Sequence, residues 1–196
     1  NRGVISAPAR GSASASQTVS TPFPLGVWDA RSGQELPALS SFPKLASSLA
    51  FSSDGKRLAI CGENELRIVD VSTGGVVAST VLPAVAGGLV FNHDGRALAG
   101  LVASATNVIK AWNTADLKEL WSANAPVNVT SLVFSPDGQR LAVAMADRSV
   151  RVLDAATGQE RDRLTGHTGT IVGLAFAPDG RHLLSDGTDG SLRMWT

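Results

Sequence analysis

The sequence predicts an all-β fold, a β-propeller of four-stranded antiparallel blades, and three repeated features lead to this prediction. A phenylalanine ends an alternating apolar run at four regularly spaced positions, Phe51, Phe91, Phe134 and Phe176. An Asp-Gly pair begins three residues after each of them, and this pair is typical of a tight turn. A third run then ends in a bulky residue at Val69, Trp112, Leu153 and Trp195. A unit of about 40–45 residues with this pattern is typical of a propeller blade.

Residues 171–196 show how one unit is built. Val172, Leu174 and Phe176 alternate with smaller residues, which is typical of a half-buried strand. The following Ala-Pro-Asp-Gly segment predicts a turn, because proline presets a negative φ and glycine accepts a positive one. Residues 182–185 and 191–195 then predict a second and a third strand on either side of a second Asp-Gly turn.

The chain divides into a polar start and a series of blades. Residues 1–24 are rich in Ser, Ala and Pro, which predicts a linker, with degenerate strands near Gly3–Ser6 as the alternative. Residues 25–196 predict the propeller. Its units are a partial blade at 25–40 and repeats at about 45–81, 85–122, 128–165 and 171–196.

The final repeat predicts three strands, whereas the earlier full repeats predict four. A propeller that closes leaves no long strand edge unpaired. Three interpretations of the number of blades remain open. The chain is a segment of a larger propeller, or two copies combine head to tail, or a small ring forms in which Glu35–Leu39 completes the last blade. The expected architecture is thus a partial propeller or one completed by another segment or chain.

At Gly166-His167 through Trp195 the sequence resembles the WD-repeat family of β-propellers. In that family a His, a Ser or Thr, an Asp and a Trp form a hydrogen-bonded structural tetrad. The resemblance places this tetrad at His167, Ser185, Asp189 and Trp195. The preceding repeat departs from the pattern, since its equivalents of His167, Ser185 and Trp195 are apolar and only Asp147 matches. Those apolar equivalents are Ala125, Val143 and Leu153.

Composition narrows the classes of partner. The 17 Lys and Arg residues balance the 17 Asp and Glu residues, so no basic surface favours nucleic acid. No apolar run reaches the length of a membrane span, and no signal segment opens the chain. A chain that starts at Asn1 is either processed or an excerpt. Cys61, the single cysteine, predicts a small buried hydrophobe, with a reactive thiol as the alternative. The compartment stays open, with the cytoplasm favoured.

Catalytic, metal and cofactor sites are not expected. His167, Ser185 and Asp189 are the residue types of a hydrolase triad, but the sequence contains no Gly-x-Ser-x-Gly elbow to expose a nucleophile. The Asp186–Gly190 segment lacks the later glutamate of a calcium loop, and one cysteine with three scattered histidines does not predict zinc. We therefore predict that the chain is not an enzyme and binds no cofactor.

The tryptophans suggest one partner contact. Trp28, Trp112 and Trp195 end third strands and are predicted to lie in the core. Trp121 ends an outermost strand, where an aromatic side chain could contact a partner or pack against the neighbouring blade.

The resemblance implies a non-catalytic scaffold that binds a protein or peptide partner through its loop faces. Two alternatives remain: a regulatory or sensor propeller attached to a kinase, protease or hydrolase module, and a propeller that binds a small ligand. Self-association to complete the ring is a further expectation. The Pro-Asp-Gly-rich, lysine-poor composition favours a bacterial signalling protein.

Overall fold

Fifteen strands follow one another without an intervening helix over residues 46–196 of the computed structural model. The structure describes residues 28–34 and 46–196. The predictions for residues 1–24 and for the strand Glu35–Leu39 therefore lie outside the described residues. The strands are β1 Ala46–Phe51, β2 Arg57–Gly62, β3 Glu65–Asp70, β4 Val76–Val81, β5 Ala86–Phe91, β6 Ala97–Val102, β7 Val108–Asn113, β8 Glu119–Asn124, β9 Val129–Phe134, β10 Arg140–Met145, β11 Val150–Asp154, β12 Glu160–Leu164, β13 Ile171–Phe176, β14 Leu183–Gly187 and β15 Leu192–Trp195.

These strands form four antiparallel sheets, each made of consecutive strands. Blade 1 is β1–β4, blade 2 is β5–β8, blade 3 is β9–β12, and blade 4 is β13–β15. The first strand of each blade is the inner one, and β1, β5, β9 and β13 lie side by side in that order. The strands β13 and β1 are not neighbours in this way, so the described blades form an open arc. The prediction of an all-β fold with four-stranded antiparallel blades is confirmed.

The Asp-Gly turns set the register between the first two strands of each blade. Gly55, Gly95, Gly138 and Gly180 all adopt a positive φ between 67° and 70°, which side chains disfavour. After each turn the phenylalanine pairs with a leucine, as Phe134 does with Leu141. This leucine is buried in all four blades, so the turn determines which residues enter the core.

The core lies between the blades. The second strands β2, β6 and β10 are buried along almost their whole length. A neighbouring blade covers each face of β6 and β10, and blade 2 covers one face of β2. One cluster of buried side chains joins blades 1 and 2, another joins blades 2 and 3, and a third joins blades 3 and 4. The arc is therefore a stack of sheets held together by apolar packing.

The tryptophans predicted to lie in the core behave differently from one another. Trp112 is buried between blades and Trp195 is half-buried against blade 3. Trp28 is 60% exposed, so its predicted core position is wrong. It forms an isolated bridge ahead of the turn at residues 29–33 and belongs to none of the four blades, so no adjoining blade covers its ring.

Candidate interaction face and buried tetrad

The strand order places the loops on two opposite faces of the arc. The turns between first and second strands lie on the same face as those between third and fourth strands. We call this the Asp-Gly face, after the turns that begin at Asp54, Asp94, Asp137 and Asp179. The turns between second and third strands, and the connections between blades, lie on the opposite face.

The four phenylalanines that mark the repeat converge at the centre of the Asp-Gly face. They line one cavity of about 580 Å³, which we call the channel mouth. Phe51 is 52% exposed there, whereas Phe91 and Phe134 are mostly covered. The remaining lining residues come from the ends of the inner strands and the turns after them: Ser53, Val90, Asn92, His93, Val133, Ser135, Pro136 and Pro178.

Contacts between blades hold the channel mouth in shape. The Ser53 hydroxyl donates to the carbonyl oxygen of His93 across blades 1 and 2, at 2.6 Å. The Arg140 guanidinium lies 5.5 Å from the centre of the Phe176 ring and also donates to the Gly180 carbonyl. These contacts join blade 1 to blade 2 and blade 3 to blade 4 at the cavity wall, so this part of the mouth is ordered before a partner arrives.

The rim around the mouth carries permanent charges of both signs. The Ser52 hydroxyl, 2.6 Å from the Asp54 carboxylate, lowers the pKa of Asp54, and the Ser135 hydroxyl does the same for Asp137. Lys56 and Arg96 lie beside Asp54 in a neighbouring polar pocket. An apolar centre inside a charged rim is the arrangement that protein interfaces use.

The four predicted tetrad residues lie together in blade 4, on the side of the opposite face. His167 Nε2 is 2.8 Å from Ser185 Oγ, and His167 Nδ1 is 3.0 Å from Asp189 Oδ2. The Trp195 indole N–H donates to Ser185 Oγ at 2.9 Å. The loop before β13, strand β14, the next turn and strand β15 thus each contribute one residue.

One proton arrangement satisfies every donor in this chain. A carboxylate only accepts, so His167 must carry its proton on Nδ1 and donate it to Asp189. In the neutral ring Nε2 is then an acceptor, and the Ser185 hydroxyl donates to it while accepting from Trp195. The tetrad is therefore a directional relay of hydrogen bonds that runs from the indole to the carboxylate.

The Asp189 carboxylate gathers further donors from the surrounding loop. The Ser191 hydroxyl donates to it at 2.7 Å, and the backbone N–H groups of Ser191 and Thr168 donate at 3.0 and 2.7 Å. These bonds, together with the one from His167, hold the pKa of Asp189 far below its usual range. The carboxylate thus fastens the loop before β13 to the turn before β15.

The tetrad has the hydrogen bonds of a hydrolase triad, but its serine is not accessible to a substrate. Its Ser-His and His-Asp distances are those of a catalytic triad. However, Ser185 is only 1% exposed and its oxygen already accepts from Trp195. A nucleophile needs a free approach to substrate, so the geometry fits a structural role for Ser185.

Of the two roles that the sequence left open for Trp121, the structure shows packing against the neighbouring blade, and the ring is too well covered to be an exposed partner contact. The residue is only 7% exposed, and its indole N–H donates to the Ala155 carbonyl of blade 3 at 2.8 Å. Its ring lies over Gly158, where an added Cβ would come within 2.4 Å of it. A turn glycine facing an outer-strand aromatic was the sequence signal for this contact between blades.

The channel mouth was not identified from the sequence, although its phenylalanines were. They were recognised as markers of the repeat, and their common register on four inner strands was the signal that they share a space. No group of three or more His, Cys, Asp or Glu side chains among residues 28–34 and 46–196 is arranged to hold a metal ion. No helix in the same residues has the length and apolarity needed to cross a bilayer.

Two family models match the chain. One, described as outer membrane protein assembly factor BamB, matches residues 25–172, and another, described as WD domain, G-beta repeat, matches residues 158–196. The chain is 40% identical over 104 residues to an uncharacterized WD repeat-containing protein of Synechocystis, a match covering 52% of this chain and 29% of that protein.

Other relatives come from animals. The chain is 29% identical to the transcription factor unc-37 of Caenorhabditis elegans, over 87% of this chain and 28% of that protein. It is 24% identical to the serine-threonine kinase receptor-associated protein of Gallus gallus, over 91% of this chain and 62% of that one. The chain therefore spans less than two thirds of each of these relatives. The mixed sources leave its predicted bacterial origin a prediction.

Two solved structures share the fold. The computationally designed Ika4 protein aligns with a TM-score of 0.68 and 23% identity, over 83% of this chain and 98% of that one. A chain of the mitotic checkpoint complex aligns with a TM-score of 0.66 and 22% identity, over 80% of this chain and 50% of that one. At this level of identity the likeness concerns the fold alone.

Proposed function

Because this chain belongs to the WD-repeat β-propeller proteins, and over residues 25–172 to the related BamB propeller family, we propose that it is a non-catalytic interaction scaffold. The surface that we assign to binding is the channel mouth on the Asp-Gly face. Its partner is a protein or peptide that inserts an apolar side chain between the phenylalanines.

The observation that carries the proposal is the exposed Phe51 ring at a cavity that is already formed. An exposed apolar patch surrounded by polar residues marks an interaction site. The cavity of about 580 Å³ is large enough for one or two apolar side chains and lies on a rigid frame. Binding there requires little reorganisation, because contacts such as that between Ser53 and His93 already order the walls.

The relatives' names agree with a scaffold role. One relative is named for its association with a serine-threonine kinase receptor. The alternative of a small ligand, which needs convergent polar groups at the channel, finds less support because the channel mouth is lined mainly by Phe, Val and Pro side chains. Attachment to a catalytic module stays a prediction.

A peptide selection tests this function directly. Phage-displayed peptides are selected on the wild-type chain, and the enriched sequences are measured against Phe51→Glu and Leu120→Glu. Leu120 is the matched control, since it is 49% exposed but lies on the outer strand β8. We expect aromatic- or proline-containing peptides whose affinity falls about tenfold or more with Phe51→Glu, as loss of an interface anchor does, and stays unchanged with Leu120→Glu.

The proposal fails if no peptide is enriched, or if Phe51→Glu and Leu120→Glu bind the enriched peptides equally well. Circular dichroism and the melting temperature of each variant establish that it is folded. Phe51 is mostly solvent-exposed, so its substitution leaves the core between blades 1 and 2 intact.

A further inference from the structure

The residue after the repeat phenylalanine is a serine in blades 1 and 3, and this serine makes two hydrogen bonds. Ser52 follows Phe51, and Ser135 follows Phe134. Each hydroxyl oxygen accepts from the backbone N–H five residues later, at 2.9 Å in both blades. Each hydroxyl also donates to the aspartate two residues later, at 2.6 and 2.5 Å. The serine thus uses both its acceptor and its donor to hold the Asp-Gly turn.

Blade 2 carries an asparagine, Asn92, at the same position. Its Oδ1 accepts from the Ala97 N–H at 2.9 Å, which is the bond that the serine oxygens accept in blades 1 and 3. This bond identifies the two ends of the amide, because a backbone N–H requires an oxygen as its acceptor. The other end, Nδ2, carries two N–H donors, and no side chain or carbonyl among the described residues accepts from it.

The unpaired amide lies at the channel mouth. Asn92 lines this cavity and is only 8% exposed. Its Nδ2 points towards blade 3, since a Cβ added to Gly138 would lie 3.7 Å from it. The described side-chain nitrogens that are both sealed from solvent and unpaired are Arg151 Nε and Arg193 Nε, so Asn92 Nδ2 keeps a path to solvent. A nearly buried donor without an acceptor is costly, so this position favours an arriving acceptor.

The serine hydroxyls and the buried side-chain oxygens of the mouth are already engaged. The Ser53 hydroxyl donates to the His93 carbonyl, and the Ser135 hydroxyl donates to Asp137. Asn92 Oδ1 and Ser135 Oγ, the buried side-chain oxygens among the described lining residues, each accept from a backbone N–H. A ligand carbonyl therefore finds a donor in the mouth, whereas a ligand N–H finds no unengaged buried side-chain oxygen there.

Proline matches this combination of groups. It has an apolar ring, a carbonyl and no backbone N–H that would need an acceptor. In the polyproline II conformation the backbone makes no internal hydrogen bonds, so each carbonyl is available. Aromatic-lined grooves bind such segments in other proteins. The mouth offers the phenylalanine rings for the proline ring and the Asn92 amide for a carbonyl.

We propose that the channel mouth binds a proline-containing segment of a protein partner in the polyproline II conformation. A proline ring enters between the phenylalanines, and Asn92 Nδ2 donates to a backbone carbonyl beside that ring. Asn92 is then the residue that determines specificity, because the phenylalanines accept any apolar side chain. This inference rests on the proposed scaffold function and names the class of partner that the same site binds.

Asn92→Ser removes the unpaired donor and keeps the turn. The substitution installs the residue that blades 1 and 3 carry at this position, so its oxygen can still accept from the Ala97 N–H. Its hydroxyl can donate to Asp94, as in the two other blades. The melting temperature should therefore stay near that of the wild type. Asn64→Ser, at an exposed position between β2 and β3 on the opposite face, is the matched control.

The peptides enriched on the wild-type chain by phage display serve as probes, and fluorescence anisotropy measures their affinities. We expect these peptides to contain proline. They should bind Asn92→Ser about tenfold more weakly than the wild type, because a hydrogen bond to a nearly buried donor is lost. Asn64→Ser should bind them as the wild type does.

A scan of the peptide backbone separates a direct hydrogen bond from an indirect effect of Asn92→Ser on the shape of the mouth. Each peptide carbonyl is replaced in turn by a thiocarbonyl, which is a weaker acceptor. We expect one position, beside a proline, at which this replacement weakens binding to the wild type but leaves binding to Asn92→Ser unchanged. Such coupling shows that the carbonyl and the amide contact each other.

Three results would overturn the inference. One is a set of enriched peptides without proline, and another is equal affinity of these peptides for Asn92→Ser and Asn64→Ser. The third is a thiocarbonyl scan in which no position depends on Asn92. If the peptides still lose affinity with Phe51→Glu, this inference fails alone and the scaffold function stands. If no peptide is enriched, both proposals fail.

Discussion

Blades 3 and 4 share one backbone plan but fill its interior with different chemistry. In blade 4 the positions of His167, Ser185 and Trp195 form a polar chain ending at Asp189. In blade 3 the equivalent positions are Ala125, Val143 and Leu153, all of them buried. The strands nevertheless pair in the same register, since Val143 lies opposite Arg151 as Ser185 lies opposite Arg193.

The interiors of blades 3 and 4 differ by a compensating change in side-chain size at two positions. Gly187 stands beside the imidazole of His167, and a Cβ added to it would lie 2.7 Å from Nδ1. The equivalent residue of blade 3 is Met145, which is fully buried and belongs to the same buried cluster as Ala125, the residue in place of the histidine. In blade 4 the large loop residue His167 is therefore combined with a glycine, and in blade 3 the small loop residue Ala125 is combined with a methionine. Close packing enforces such compensation, because an interior tolerates neither a void nor an extra methylene group.

Blades 3 and 4 show that the backbone arrangement of a blade does not depend on whether its interior side chains are apolar or hydrogen-bonded. In both blades the space between the connecting loop and the second strand must be filled by buried side chains, and in both it is filled. Apolar filling satisfies it through shape alone, whereas the tetrad also demands that every donor finds its acceptor. Three substitutions in blade 4 test this distinction, in order of decreasing expected effect.

Gly187→Met should have the largest effect. The new side chain would occupy the space of the His167 ring, and we expect a loss of about 2–5 kcal/mol in the free energy of unfolding, from overpacking and from broken hydrogen bonds. Adding His167→Ala reproduces the Ala125–Met145 pair of blade 3 and should recover at least half of the loss. Urea denaturation of the two variants measures this. A double variant as unstable as Gly187→Met would show that volume exchange does not relate the blades.

His167→Ala alone should have an intermediate effect. It removes the link between Ser185 and Asp189 and leaves the Ser185 hydroxyl without its acceptor, which costs about 1–3 kcal/mol. Thermal unfolding followed by circular dichroism measures the change. An unchanged melting temperature would contradict a stabilising role for the tetrad.

The smallest expected effect is that of Asp189→Asn on how the melting temperature depends on pH. The pKa of Asp189 is lowered in the folded chain from its ordinary value of 3.8, chiefly by the Ser191 hydroxyl. A carboxylate of this kind stabilises the fold above its unfolded pKa, and the stabilisation is lost as the pH falls below it. The melting temperature of wild type should therefore fall more steeply between about pH 5 and pH 2 than that of Asp189→Asn.

Blade 3 supplies the matched control for this pH dependence. Arg161 and the Thr157 hydroxyl lower the pKa of Asp154 to about 2, but this side chain is 21% exposed, against 8% for that of Asp189. Solvent screens such a pair, so Asp154→Asn should flatten the pH dependence less than Asp189→Asn does. Equal slopes for the two variants would show that the lower exposure of Asp189 does not strengthen its contribution to stability.

The repeated fold was predictable from the sequence because its signals are local. A phenylalanine, an Asp-Gly turn and a strand-ending residue recur in each unit, and each acts within a few residues of its position. The tetrad residues could also be listed, since the resemblance covers blade 4. The volume exchange between Gly187 and His167 could not be read directly, because the two residues meet only when the blade is assembled.

Contacts between blades were the main source of error. The sequence left Trp121 open between a partner contact and packing, and the bare Gly158 of the next blade, which leaves room for its ring, decides for packing. Trp28 seemed buried by analogy with Trp112, yet no adjoining blade covers it. Whether an aromatic ring is covered depends on the neighbouring sheet, and one repeat carries no information about that neighbour.

The bonds between neighbouring blades have a consequence for how such a chain changes over generations. The backbone-to-backbone hydrogen bonds of residues 46–196 stay within each sheet and its own turns. Neighbours are joined through side chains, such as the Thr130 hydroxyl on the Ile171 carbonyl. Duplicating or deleting the codons of one sheet therefore breaks no backbone hydrogen bonds of the other sheets. Only the side chains at the new contact between sheets must adapt. Lineages of this protein can lengthen or shorten by whole sheets while each sheet keeps its own residues.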